Sequence, residues 1–180
     1  MTPKRFIAMG LFCALALAAC SSGGAGGTGS DEGSFVVADV VSSRDQVLGQ
    51  DRLLIHIASV PGLCGLFTTG ADTPDRDYDI IVIELNITGT LAPGVKTIAG
   101  ELQYSQTEGT AFYTGNRGCN TRYGGYATGT VNLTTLDDGH AAGTYDLHFA
   151  NGWPYSGGIQ GSFNAPTCNT MGRLPYLACK

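Results

Sequence analysis

The 180-residue sequence is short of charge, with Asp, Glu, Lys and Arg making up only 14% of it, and it is shortest of positive charge, with 10 Lys and Arg against 15 Asp and Glu. No basic patch is visible, which excludes the electrostatic footprint of a nucleic-acid binder. Tryptophan occurs once. There is no C-x-x-C pair, no H-x-H or H-E-x-x-H spacing and no G-x-S-x-G elbow, so the usual signatures of a zinc centre or a serine hydrolase are missing. No interval is long and periodic enough for a substantial helix, and no repeat of fixed period occurs. The apolar stretch Phe6 to Ala16, broken only by Gly10, is too short for a membrane-spanning helix, which needs roughly 20 apolar residues.

What is present begins with an address. Lys4 and Arg5 precede that apolar stretch, as in the positive and hydrophobic regions of an export signal. Leu17-Ala18-Ala19-Cys20 follows, and this tetrapeptide resembles the lipobox of bacterial lipoproteins. The resemblance implies cleavage before Cys20 and acylation of that residue through its thiol and its new amino group, palmitate among the acyl chains. Ser21 rather than Asp after the cysteine implies, by the family's sorting logic, anchoring in the outer membrane of the cell envelope. Two or more acyl chains hold durably where one binds marginally. An ordinary secretory signal cut at an Ala-x-Ala-like site is the alternative.

Removing residues 1–19 takes Lys4 and Arg5 with it, leaving 8 basic against 15 acidic residues and moving the net charge from −5 to −7. Residues 20–33 then read as the lipidated cysteine and a Gly/Ser-rich tether, SSGGAGGTGSDEG, whose function is spacing. Residues 34–180 suit one domain. Cys13 leaves with the signal and Cys20 takes the lipid, so Cys64, Cys119, Cys168 and Cys179 remain. An even number in an oxidising compartment reads as two disulfides. Of the three pairings, Cys64–Cys119 with Cys168–Cys179 is expected, because the latter would tie down a tail of little strand character.

The domain reads as all-β. Runs over 35–41, 52–60, 78–88, 95–106, 110–114, 126–136, 142–150 and 156–165 are rich in β-branched and aromatic residues or alternate with period two. Pro61-Gly62, Pro93-Gly94 and Asp137-Asp138-Gly139 punctuate them. About eight short strands at this spacing predict an antiparallel β-sandwich or flattened barrel, with at most one short helical turn near Cys64. The segments Gly129 to Phe149, Gly161 to Cys168 and Pro61-Gly62-Leu63-Cys64 also resemble a group of small exported bacterial lipoproteins. That resemblance implies the fold and the anchor and no activity.

Several clusters invite chemistry. Asp72, Asp75, Asp77 and Asp79 put four carboxylates in eight positions, and hard cations such as Ca2+ prefer clustered oxygens. Arg76 within the run, and the absence of a Gly for the sharp turn, favour a solvated acidic turn instead. Glu84 and Glu101 fall on neighbouring strand candidates, and a carboxylate pair would suit a glycosidase. His56, His140 and His148 lie in or beside strands and read as ordinary sheet histidines. Among the aromatics of the second half, Tyr104 and Tyr145 read as core, while Trp153 and Tyr155 flank Pro154 in a predicted loop and are the candidates for an exposed contact. The expected function is a non-catalytic envelope module, binding or structural, held to membrane lipid through Cys20. A polysaccharide hydrolase and a calcium-stabilised adhesin-like domain are the alternatives.

Overall fold

A computed structural model describes residues 35–47, 50–65, 77–86, 92–100, 109–117, 120–150 and 157–168. Residues 1–34, where the export signal, Cys20 and the tether are expected, lie outside the described residues. Eight strands follow in order: β1 (Asp39–Val47), β2 (Gln50–Ala58), β3 (Tyr78–Asn86), β4 (Gly94–Ala99), β5 (Gly109–Arg117), β6 (Asn120–Leu136), β7 (His140–Phe149) and β8 (Gly157–Pro166). They form one sheet in the order β1-β2-β3-β5-β4-β6-β7-β8, with β5 also pairing β6. One turn of helix at residues 63–65 follows β2.

The sheet curls until its first and last strands meet, so the flattened barrel, rather than a two-sheet sandwich, is what forms. Seven of the strands, all but β4, are joined by six antiparallel pairings. An odd number of alternating strands brings the first and last together in the same direction, and the seam between β1 and β8 is accordingly a parallel bridge, Ser42 to Thr167. The Cys168 N–H donates to the Ser42 carbonyl at 2.7 Å, and the Ser42 hydroxyl to the Ala165 carbonyl at 3.2 Å. Arg44 adds a bond to the Asp137 carbonyl and an exposed ion pair with Asp138.

β4 makes the sheet mixed. It wedges between β5 and β6, antiparallel to β6 over Gly94–Ile98 and parallel to β5 over two positions. The 17-residue β6 allows this, pairing β5 with its first half and β4 with its second. Gly129 sits at the changeover with φ +144°, and a Cβ there would lie 2.0 Å from the Asp146 carbonyl oxygen. Only glycine fits that conformation and that space.

Side chains of alternate residues fill the barrel. Leu53, Ile55 and Ile57 of β2, Ile81, Ile83 and Leu85 of β3, Tyr113 of β5, Val131 and Leu133 of β6, Tyr145, Leu147 and Phe149 of β7, and Phe163 of β8 are all buried inward. Aromatic rings fit because glycines stand opposite them. Tyr113 lies against Gly115 and Gly124, Tyr145 against Gly161, and Phe163 against Gly143, and an added Cβ would meet each ring at under 3 Å.

Three expectations are corrected here. The first strand starts at Asp39, not at Phe35, and Phe35 instead packs into the core ahead of it. The fourth ends at Ala99, with Gly100 in a bend, and Tyr104 lies outside the described residues. The disulfide is Cys64–Cys168, not Cys64–Cys119 with Cys168–Cys179. The seam explains it: β8 delivers Cys168 to Ser42 of β1, and the helical turn carrying Cys64 is tied to the same strand by a Leu63 N–H donating to the Asp39 carboxylate at 2.7 Å. Cys119 and Cys179 lie outside the described residues.

Candidate functional site

The outside of the barrel has two unlike halves. Outward residues of an isolated barrel face water, yet those described on β1, β2, β3 and β5 are buried or half-buried. Val41, His56, Val82 and Thr110 are 1–3% exposed, and Val41, Ala58, Leu63, Tyr78, Ile80, Val82 and Cys168 form a second apolar cluster there. Leu63, Cys64 and Cys168 supply the described part of the cover. This is the covered half. Polar groups within it include Ser43, His56, Thr110 and Thr114. Burial alone holds His56 down to about 4, well under the ordinary imidazole value of 6.5, so it is neutral at physiological pH.

Ser43, His56 and Glu84 share this face, and a nucleophile, a base and a carboxylate invite comparison with a hydrolytic triad. The contacts do not follow that pattern. The Ser43 hydroxyl is buried without a hydrogen-bond partner among the described residues, and Glu84 pairs with Arg52 at 3.6 Å. A nucleophile and its base need to be within hydrogen-bond reach. Glu101, the partner proposed for Glu84, lies outside the described residues.

The other half is open and polar. Thr128, Thr130, Asn132 and Thr134 of β6, Thr144, Asp146 and His148 of β7, and Gln160, Ser162 and Asn164 of β8 all point outward and are exposed. The period-two alternation of 126–136 therefore puts threonines out and aliphatics in. Thr130, Thr144, Asp146, Gln160 and Ser162, with backbone of Tyr145 and Gly161, line a shallow depression of about 500 Å³. The register places Thr130 beside Asp146, Asp146 beside Gln160, and Thr144 beside Ser162. Neighbours are thus about 4.8 Å apart across strands and about 6.7 Å along them. Asp146 lies 3.4 Å from His148.

Hydrogen bonding differs between rim and centre. The rim residues Thr128 and Thr134 donate to the carbonyls of His148 and Ala142, and Asn164 bonds His140. Among the described residues, the side chains of Thr130, Thr144, Gln160 and Ser162 form no hydrogen bond within the protein. Their capacity is directed at solvent.

The acidic run is split by the strand that follows it. Asp77 is exposed just before β3, whereas Asp79 points into the barrel and accepts a hydrogen bond from the Tyr113 hydroxyl. Asp72 and Asp75 lie outside the described residues. No group of three or more metal-ligating side chains occurs among those described. Trp153 and Tyr155 are also outside them. Tyr145 is core, as expected, and its buried hydroxyl has no hydrogen-bond partner among the described residues. Sequence reasoning singled out aromatics and carboxylates and passed over the polar face, although the alternating threonines of β6 signalled one strand of it. Comparison with protein-family models, curated proteins and solved structures returns no match to this chain.

Proposed function

We propose that the chain is a lipid-anchored module of the bacterial envelope that works by binding, through the open face of β6, β7 and β8. The observation that carries this reading is the contrast between the two outer halves. One is sealed under a second apolar cluster, and the other offers hydrogen-bonding side chains that the fold itself leaves unused. The barrel interior is filled by its own side chains, so a ligand would meet the module from outside. The lipobox resemblance, the tether and the acidic charge fit a domain displayed close to a membrane and kept from nucleic acid.

The reading is tested in cells with the intact lipoprotein. A photo-crosslinking amino acid is placed at Thr130 or Ser162 and, as a control, at the exposed Asp77 ahead of β3, on the other half of the barrel. Adducts at the first two positions and none at Asp77 are expected. Adducts at none of the three positions, or equally at Thr130, Ser162 and Asp77, would remove the reading. Conversion of Cys20 to Ser should abolish acyl labelling and release the protein from membranes. Retained labelling would remove the anchor.

A further inference from the structure

We infer that the depression centred on Asp146 is a binding site for neutral, hydroxyl-rich glycan chains, an inference that rests on the binding role proposed for the open face. The argument starts from which polar residues are there. Exposed sheet faces are commonly covered with Lys, Glu and Arg, whose long side chains confer solubility and protect against association. The outward positions described on β6, β7 and β8 carry no Lys, Arg or Glu at all. They carry mainly Thr, Ser, Asn and Gln, with His140, Asp146 and His148 as ionisable exceptions and Tyr126 and Ala142 at the edges. Short side chains lose little rotamer freedom when a ligand orders them, so each hydrogen bond costs less to form.

The chemistry of the lining narrows the ligand. Thr130, Thr144 and Ser162 each offer a donor and an acceptor, Gln160 offers both through its amide, and Asp146 is an acceptor when ionised. Sugar hydroxyls are themselves donors and acceptors at close spacing, and this mixture can satisfy both functions of adjacent hydroxyls. A nucleic acid or other polyanion would meet a carboxylate on an acidic protein without basic groups to neutralise it. A protein partner would find no exposed aromatic or large aliphatic anchor among the residues lining the depression, since Tyr145 is buried beneath it, and such anchors carry most of the energy of protein interfaces. The depression, at about 500 Å³, falls within the size range of small-molecule sites. Single contacts of this kind bind weakly. Many anchored copies on a repeating polymer would gain from multivalency.

The test uses the intact mature lipoprotein in detergent micelles, run through native gels containing dextran, laminarin, α-mannan or dextran sulfate. Retardation by at least one neutral polysaccharide and none by dextran sulfate is expected. Thr144→Lys and Ser162→Lys, both outward and clear of the core, should each weaken that retardation at least tenfold, and Asp77→Lys, on the other half of the barrel, should leave it unchanged. Gln160→Ala, which only removes atoms from the surface, should weaken it several-fold and serves if either lysine variant melts below the parent. No retardation by any neutral polysaccharide, stronger retardation by dextran sulfate, or retention of binding in all three depression variants would overturn the inference. Crosslinks from Thr130 and Ser162 to a protein would also overturn it, while leaving the broader binding role standing.

Discussion

The ring of Tyr145 lies over Gly161 across the β7–β8 pair, its hydroxyl 2.6 Å from where a Cβ on Gly161 would sit. That hydroxyl is buried without a hydrogen-bond partner among the described residues, and burial raises its pKa. Tyr145→Phe should therefore leave stability unchanged or raise it by up to about 1 kcal/mol, since a desolvated polar atom is removed. Gly161→Ala should cost about 1–3 kcal/mol by overpacking, and the double variant less than the sum. Tyr113→Phe should behave oppositely and cost about 1–3 kcal/mol, because it strips a hydrogen bond from the buried Asp79 carboxylate. Urea unfolding of the four variants distinguishes these outcomes.

His56 makes stability depend on pH. Its pKa is about 4 in the folded protein against 6.5 for the unfolded chain. Between those values the unfolded chain binds a proton that the folded protein does not, so stability rises with pH across this window. The contribution is fully present above pH 6.5 and lost as pH falls through 4. Its size is on the order of 3 kcal/mol. His56→Gln should flatten the stability–pH curve between pH 4 and 6.5. An unchanged slope would show that His56 titrates normally.

The Cys64–Cys168 bond closes a span of 104 residues. Constraining an unfolded loop of that size contributes about 4–5 kcal/mol. Replacing both cysteines with Ala should lower Tm on the order of 10–20 °C. Peptide mapping without reductant should recover the peptides of Cys64 and Cys168 joined. A Cys64–Cys119 peptide would contradict the seam geometry.

Calcium should be silent. Asp79 is occupied with Tyr113 inside the barrel while Asp77 is exposed outside it, so the acidic run cannot act as one ligand set. Millimolar calcium should leave Tm unchanged, and a rise of several degrees would restore a cation site built from Asp72 and Asp75 with other partners.

The strands were legible in the sequence because alternation is a local signal. Ile81, Ile83 and Leu85 point inward by parity alone, and Asp137-Asp138-Gly139 announces the β6–β7 hairpin, where the Gly139 N–H does donate to the Asp137 carboxylate. What escaped depends on distant pairing. Phe35 sits among β-branched residues and reads as strand, yet it packs into the core before pairing begins. The wedge of β4 and its parallel contact with β5 leave no trace in either segment. Cys64 and Cys168 meet only because the count of alternating strands is odd, a property of the whole sheet. His56 reads as an ordinary sheet histidine, because parity tells which face it is on and not that the face is covered. The open face was half-visible: Thr128, Thr130 and Thr134 stood out on β6, but their neighbours on β7 and β8 join them only through the register.

The parallel seam also dictates when the barrel can close. Ser42 waits for Ala165, 123 residues later in the chain. A chain threaded across a membrane from its N-terminus would present β1 to β7 while the closing strand was still on the far side. Until then the inward-facing row of β1 has no neighbour at its free edge, and the long-range contacts that complete the fold form last, which makes for slow folding. On the export route proposed above, the unfinished edge would stay open to unwanted strand pairing until β8 followed, and a chaperone that held that edge would have most to do during that interval.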